Sequence, residues 1–189
     1  MQEVPGPRDA TNVRSETSTK INAWLRVLPK EEREQLHELE SLFVRTALGD
    51  VLSLSAAPAD LPGFQLSSNR PELIPGNSVA RSWAVFAEAL LATARPAVLN
   101  IHAYLEKRIP EQTGLGAGSG DAAACLLALN DLHGHPFTPA TLTQLASSVG
   151  SDVPFLTARM SAASVLGTGG FLAPVPELPF EAKRQSGSV

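Results

Sequence analysis

Apolar and polar residues alternate from Lys20 to Leu28. The pattern predicts a strand with Ile21, Ala23, Leu25 and Val27 on its apolar face and Lys20 and Asn22 on the opposite one. Further strands are predicted over His37 to Leu48, Val51 to Ala56, Val98 to Glu106 and Ala162 to Leu166, with a short one near Phe64 to Ser67 and a tight Gly49-Asp50 connection between two of them. The period changes to 3.6 where Val79, Trp83, Phe86, Leu90 and Leu91 form the inner stripe of a helix, capped by Asn77 or Ser78 and stopped at Pro96. A second helix over 120–133 carries Ala122, Cys125, Leu126, Leu129 and Leu132. A third, over 139–148, is capped by Thr138 with Pro139 at its first position. Strands, helix, strand, then helices imply an α+β fold, a two-layer sandwich. Residues 1–18 lack an apolar pattern and are expected to be a loose polar tail, and the proline-rich segment after Pro174 is expected to be disordered.

Composition narrows the partners. A chain of 189 residues, 43% hydrophobic and 18% charged, supports one globular domain with a sizeable core. The net charge is −4 and the Lys and Arg residues are scattered, which argues against nucleic acid. No apolar stretch approaches spanning length, so no membrane partner is expected. One cysteine, Cys125, falls on an apolar helical stripe and has no internal partner, as suits a reducing cytoplasm.

The chemistry concentrates in two places. A glycine-rich run, GLGAGSGDAAA from Gly114 to Ala124, passes directly into the second helix, with Ser119 and Asp121 where that helix begins. Free N–H groups and the positive end of the helix dipole make such a junction an anion site. The run lacks the lysine of a P-loop and the glycine spacing of a dinucleotide fingerprint, and as a bare sequence it also fits a flexible turn. About thirty residues on, GSDVPF supplies a carboxylate, Asp152, ahead of a Val-Pro pair. Phosphate on a helix start with a carboxylate nearby points to phosphoryl transfer. Residue by residue, Lys20 also reads as a strand-edge lysine, Asp152 and Asn77 as helix caps, and Lys107 as a surface charge. His133 and His135 stand before Gly and Pro with no third ligand nearby, which reads as a solvated turn and not a metal site.

Five blocks run in order along the chain: TKINAWLRVLPKEEREQLHELESLFV from Thr19, GNSVARS from Gly76, KRIPEQTGLGAGSGDAAA from Lys107, LNDLHGH from Leu129 and VGSDVPFL from Val149. Together they resemble the GHMP kinases, and within that family the kinase acting on a cytidine-diphosphate sugar alcohol in isoprenoid biosynthesis. The resemblance implies the N-terminal, ATP-binding lobe of that fold, related to domain 2 of ribosomal protein S5, over residues 19–175, with 176–189 a tail and the C-terminal lobe absent. It implies ATP and Mg²⁺ as cofactors, a small-molecule alcohol as substrate, and Lys20 and Asp152 as the catalytic pair. Pro110, Glu111, Gln112, Thr113, Gly114, Leu115, Gly116, Ala117, Gly118, Ser119 and Gly120 would bind the nucleotide, with Asn77 and Lys107 on its adenine side. Asn22 and His37 would bind the substrate, although Leu36 stands where the family has a tyrosine. Gln112, Thr113, Ala117, Gly120 and Gly170 also depart from the family pattern. With one lobe absent, an apolar face would be uncovered, and self-association is expected. A non-catalytic remnant, or another activity of the same family, is the alternative.

Overall fold

The computed structural model describes residues 11–27, 39–93, 99–167 and 171–175. Its strands are β1 (Thr11–Glu16), β2 (Thr19–Val27), β3 (Leu39–Thr46), β4 (Val51–Pro58), β5 (Gly63–Ser68), β6 (Leu99–Glu106), β7 (Ala162–Gly167) and β8 (Phe171–Pro174). Its helices are α1 (Ser78–Leu91), α2 (Ala117–Leu132), α3 (Pro139–Ser147) and α4 (Val153–Thr157). The strands form two four-stranded sheets, ordered β1-β4-β6-β5 and β2-β3-β7-β8. All pairs are antiparallel except β5 with β6, which run parallel because α1 supplies the crossover between them. The fold is therefore the mixed α and β architecture that the element order implies.

Helix α2 is the central beam. It touches α1, α3, α4, β1, β2 and β4, and from Gly120 to Asn130 only Leu127 is not buried. The apolar stripe read from its sequence is thus one side of a helix enclosed nearly all round, and small residues at Ala122, Ala123 and Ala124 allow that close packing. Phe86 and Phe155 are 1% and 0% exposed, and Phe155 meets Phe43 edge-on at 5.5 Å. Cys125 is buried beside the Val79 carbonyl, and burial pushes its thiol well above the usual range, with Asp121 adding to the shift.

The structure corrects four expectations. Residues 11–16, placed in a polar tail, form β1 and pair with β4 from Thr11↔Ala56 to Glu16↔Val51. This edge strand carries a single apolar residue, Val13, so it shows no alternation even though its backbone is fully paired on one side. Helix α2 begins at Ala117 rather than 120, because glycines 118 and 120 take helical geometry once Gly116 has turned the chain. In β2 the register slips between Asn22 and Trp24, so Ala23 is an extra residue. That bulge reverses the faces: Leu25 pairs with Ser41 on the side of Lys20 and Asn22, while Trp24 joins Ile21 on the other. Leu91 is 52% exposed and ends α1 outside the core. The short elements β8 and α4 lack enough residues for a periodic signal. Pro96 and the tail over 176–189 lie outside the described residues.

Candidate active site

Strand β6 delivers the chain to Lys107, and the loop that follows returns to α2 through Gly116, whose φ of +69° is the left-handed geometry an L side chain resists. Intrahelical bonding starts with Gly120 N to Gly116 O at 2.9 Å. None of the amides from Gly114 to Ser119 donates a hydrogen bond to any described residue. A row of free N–H groups thus sits at the positive end of α2, the arrangement that binds phosphate oxygens. Alongside runs an open cleft of about 440 Å³, lined by Pro110, Glu111, Gln112, Thr113, Gly114, Gly116, Ala117 and Gly118 on one side and by Asn77 and Ser78 on the other. Ser78 ties the two walls together by donating to the Gly118 carbonyl at 2.6 Å.

At the mouth of the loop stands the pair Lys20 and Asp152. Lys20 is buried, and its Nζ lies 3.5 Å from Asp152 Oδ2. The same ammonium donates to Asn22 Oδ1 at 2.7 Å and to the Gly114 carbonyl at 3.2 Å, and it rests 4.9 Å from the Phe43 ring centre. The backbone reinforces this, since Lys20 N donates to the Leu115 carbonyl at 2.8 Å. Asp152 precedes α4 but makes no capping bond, so its carboxylate is left to face the lysine. A Cβ on Gly116 would lie 3.3 Å from both Asp152 Oδ2 and Lys20 Cε. Loop, ammonium and carboxylate therefore converge within one van der Waals layer. A hydroxyl placed there could give its proton to the carboxylate while the ammonium offsets charge on the reacting oxygens.

Three of the predicted nucleotide residues sit differently from expectation. Gly120 faces away from the cleft, because a Cβ there would lie 2.0 Å from the Ser18 carbonyl oxygen; close packing requires the glycine. Asn77 is committed at both ends, accepting from Val79 N and donating to the Leu73 carbonyl, each at 2.9 Å, so it works as the cap of α1. Lys107 borders the cleft, but its side chain is 9% exposed and its ammonium is taken by two carboxylates. Ser119 is half-buried in the first turn of α2, and His37 lies outside the described residues. His133 Nδ1 donates to the Leu129 carbonyl of its own helix, 2.7 Å away, and its ring packs on Phe86, while His135 is exposed.

The lysine's partners, Asp50 and Asp121, are the residues that sequence reasoning passed over. Asp50 read as half of a turn, and Asp121 only as part of a helix start. Lys107 Nζ bonds Asp50 Oδ2 directly and Asp121 Oδ2 at 2.8 Å. Asp50 Oδ1 accepts the amides of Arg108 and Ile109 at 2.5 and 2.8 Å. Burial alone would raise the Asp50 pKa, but Lys107 and those two amides outweigh it and hold the carboxyl below its usual range. Asp121 has no such amides. Burial pushes it up to about 7 against the pull of Lys107, and its Oδ1 is buried without a partner among the described residues. Burial likewise acts to lower Lys107, yet the two carboxylates prevail and raise it.

Residues 77–159 match the family described as GHMP kinases N terminal domain. The 4-diphosphocytidyl-2-C-methyl-D-erythritol kinase of Solibacter usitatus (strain Ellin6076) is 39% identical over 170 residues, covering 90% of this chain and 50% of that enzyme. The kinase of the same name from Treponema pallidum (strain Nichols) is 36% identical over 169 residues, covering 87% and 53%. A crystal structure of 4-(cytidine 5'-diphospho)-2C-methyl-D-erythritol kinase superposes with a TM-score of 0.66 at 31% identity, over 86% of this chain and 55% of that one. The chain spans about half the length of the curated relatives it matches.

Proposed function

We propose that the chain, whose residues 77–159 match the GHMP kinase N-terminal domain, is the ATP-binding half of a small-molecule kinase. The reaction we assign is transfer of the γ-phosphoryl group of ATP to a hydroxyl of 4-diphosphocytidyl-2-C-methyl-D-erythritol, a step of isoprenoid biosynthesis. The observation that carries this reading is the convergence of Lys20, Asp152 and Gly116 beside a helix start with free amides. The names and identities of the relatives support the substrate over other activities of the family. No described helix is long and apolar enough to cross a membrane, and the buried single cysteine suits a reducing compartment such as the cytoplasm.

In this mechanism the amides from Gly114 to Ser119 hold phosphate oxygens of the nucleotide. Asp152 takes the proton of the attacking hydroxyl, whose oxygen bonds the γ-phosphorus as the bridging oxygen departs with ADP. Lys20 offsets the negative charge that accumulates on the reacting oxygens, and Asn22 fixes the direction of its ammonium. Mg²⁺, bound with ATP, would supply further charge neutralisation. His37 is assigned to the cytidine end of the substrate on family grounds alone.

The test is phosphoryl transfer from labelled ATP to this alcohol by wild type, Asp152→Asn and Lys20→Met, with ATP affinity measured by calorimetry in each. Removing the proton acceptor should lower turnover about 10²- to 10⁴-fold while Asp152→Asn still binds ATP. A wild-type chain that does not bind ATP, or an Asp152→Asn variant as fast as wild type, would rule the assignment out.

A further inference from the structure

We infer that Asp50, Lys107 and Asp121 form a single buried clamp that fixes both ends of the glycine loop, making Asp50 and Asp121 positioning residues for the phosphate cradle. The inference rests on the nucleotide reading of that loop and extends it to buried groups beneath it.

The loop is open along most of its length, and its own amides from Gly114 to Ser119 make no bonds to described residues. Something outside it must therefore hold its shape. At the strand end, Asp50 Oδ1 accepts from the amides of both Arg108 and Ile109. At the helix end, Asp121 lies in the first turns of α2, one residue beyond Gly120. Lys107 joins the two, bonding Asp50 and Asp121 through one nitrogen. Asp50 is itself locked to the β1–β2 link, because Thr17 N donates to its carbonyl and its own amide donates to Thr17 Oγ1, both at 2.9 Å. One ammonium thus sets the distance between the point where the loop leaves β6 and the point where it enters α2. Asp50 is fully buried away from the cleft, and Asp121, which borders the cleft floor, is only 2% exposed with one oxygen already committed to Lys107. Each single neutral replacement leaves Lys107 one carboxylate partner, whereas losing both would strand a buried ammonium and destabilise the fold. A clamp predicts that nucleotide affinity falls even where the fold survives.

The experiment compares Asp50→Asn, Asp121→Asn and the double variant of the full 189-residue chain, with Asp131→Asn at the far end of α2 as control. ATP affinity is read by calorimetry, and amide exchange by NMR without nucleotide. Each single variant should weaken ATP binding about tenfold, because a hydrogen bond to a charged group is lost at a positioning point. Exchange at Arg108 and Ile109 should quicken in Asp50→Asn, and exchange at Gly120 in Asp121→Asn, while β4 amides stay protected. The double variant should cost less than the two singles combined, since both act through one lysine. Unchanged exchange at those amides, uniformly faster exchange throughout the chain, or fully multiplicative losses would each overturn the clamp. If the double variant does not fold, the singles decide. Local exchange changes in a chain that binds no ATP would refute the nucleotide reading and leave the clamp standing.

Discussion

Replacing Gly116 with alanine probes the site with a single methyl group. At φ +69° an L residue bears a left-handed penalty of about 1–2 kcal/mol relative to glycine. The new Cβ would also meet Asp152 Oδ2 and Lys20 Cε at 3.3 Å and Lys20 Cγ at 3.4 Å, closer than side chains ordinarily pack. Those neighbours must yield by a few tenths of an ångström, and Lys20 has little freedom because its ammonium already holds Asn22, Gly114 and Asp152. Stability should fall by about 1–2 kcal/mol, measured by urea denaturation. Turnover should fall further, by about tenfold or more, since displacing a reacting group by about 1 Å can cost a hundredfold. ATP affinity should fall as well, because the residue that shifts is part of the cradle. The reasoning fails if Gly116→Ala loses the expected stability yet keeps turnover and ATP affinity within about twofold of wild type. That result would mean the loop does not share a site with Lys20 and Asp152.

Three further outcomes follow from the packing and the charges. Gly120→Ser should lower stability by about 3 kcal/mol without improving ATP binding, because the Ser18 carbonyl occupies the space a Cβ needs; an unchanged melting temperature would contradict it. Asp121, raised to about 7, contributes stability that is complete below its unfolded pKa of about 4 and is lost as pH rises toward 7. The wild-type melting temperature should therefore decline relative to that of Asp121→Asn between about pH 4 and 7, and the comparison cancels His133, whose burial lowers its pKa and which titrates in both proteins. Parallel curves across that range would refute the assignment. Finally, Ile21, Trp24 and Leu166 are 42%, 51% and 44% exposed on the outer face of the β2-β3-β7-β8 sheet, so the isolated chain should self-associate. Trp24→Glu should shift its sedimentation toward monomer, and concentration-independent sedimentation of the wild type would dismiss that surface.

Much of the fold is legible in the sequence because its signals are long or local. Helix α1, strands β4 and β6, and the convergence of Lys20 with Asp152 follow from apolar period and from blocks of sequence. What escapes a sequence reading does so for physical reasons. Strand β1 is held by backbone pairing at a sheet edge and needs almost no apolar residue. The bulge at Ala23 interrupts a perfect alternation that, unbroken, would have turned Trp24 toward Asn22. Asp50, Lys107 and Asp121 are too far apart in sequence for spacing to announce them, and each alone looks like a turn, a surface charge or a helix start. Gly120 reads as one more residue of the phosphate loop because its role, room for the Ser18 carbonyl, depends on the distant β1–β2 link.

The burial of Cys125 makes the chain its own reporter of opening. The thiol lies at 0% exposure inside the helix that packs against three other helices and both sheets, and its raised pKa leaves almost no thiolate at neutral pH. An alkylating reagent can reach that sulfur only when α2 separates from its neighbours. With one cysteine in the sequence, the rate of mass increase at reagent levels where alkylation outpaces reclosing reads the lifetime of the closed core, with no engineered label and no background from other thiols.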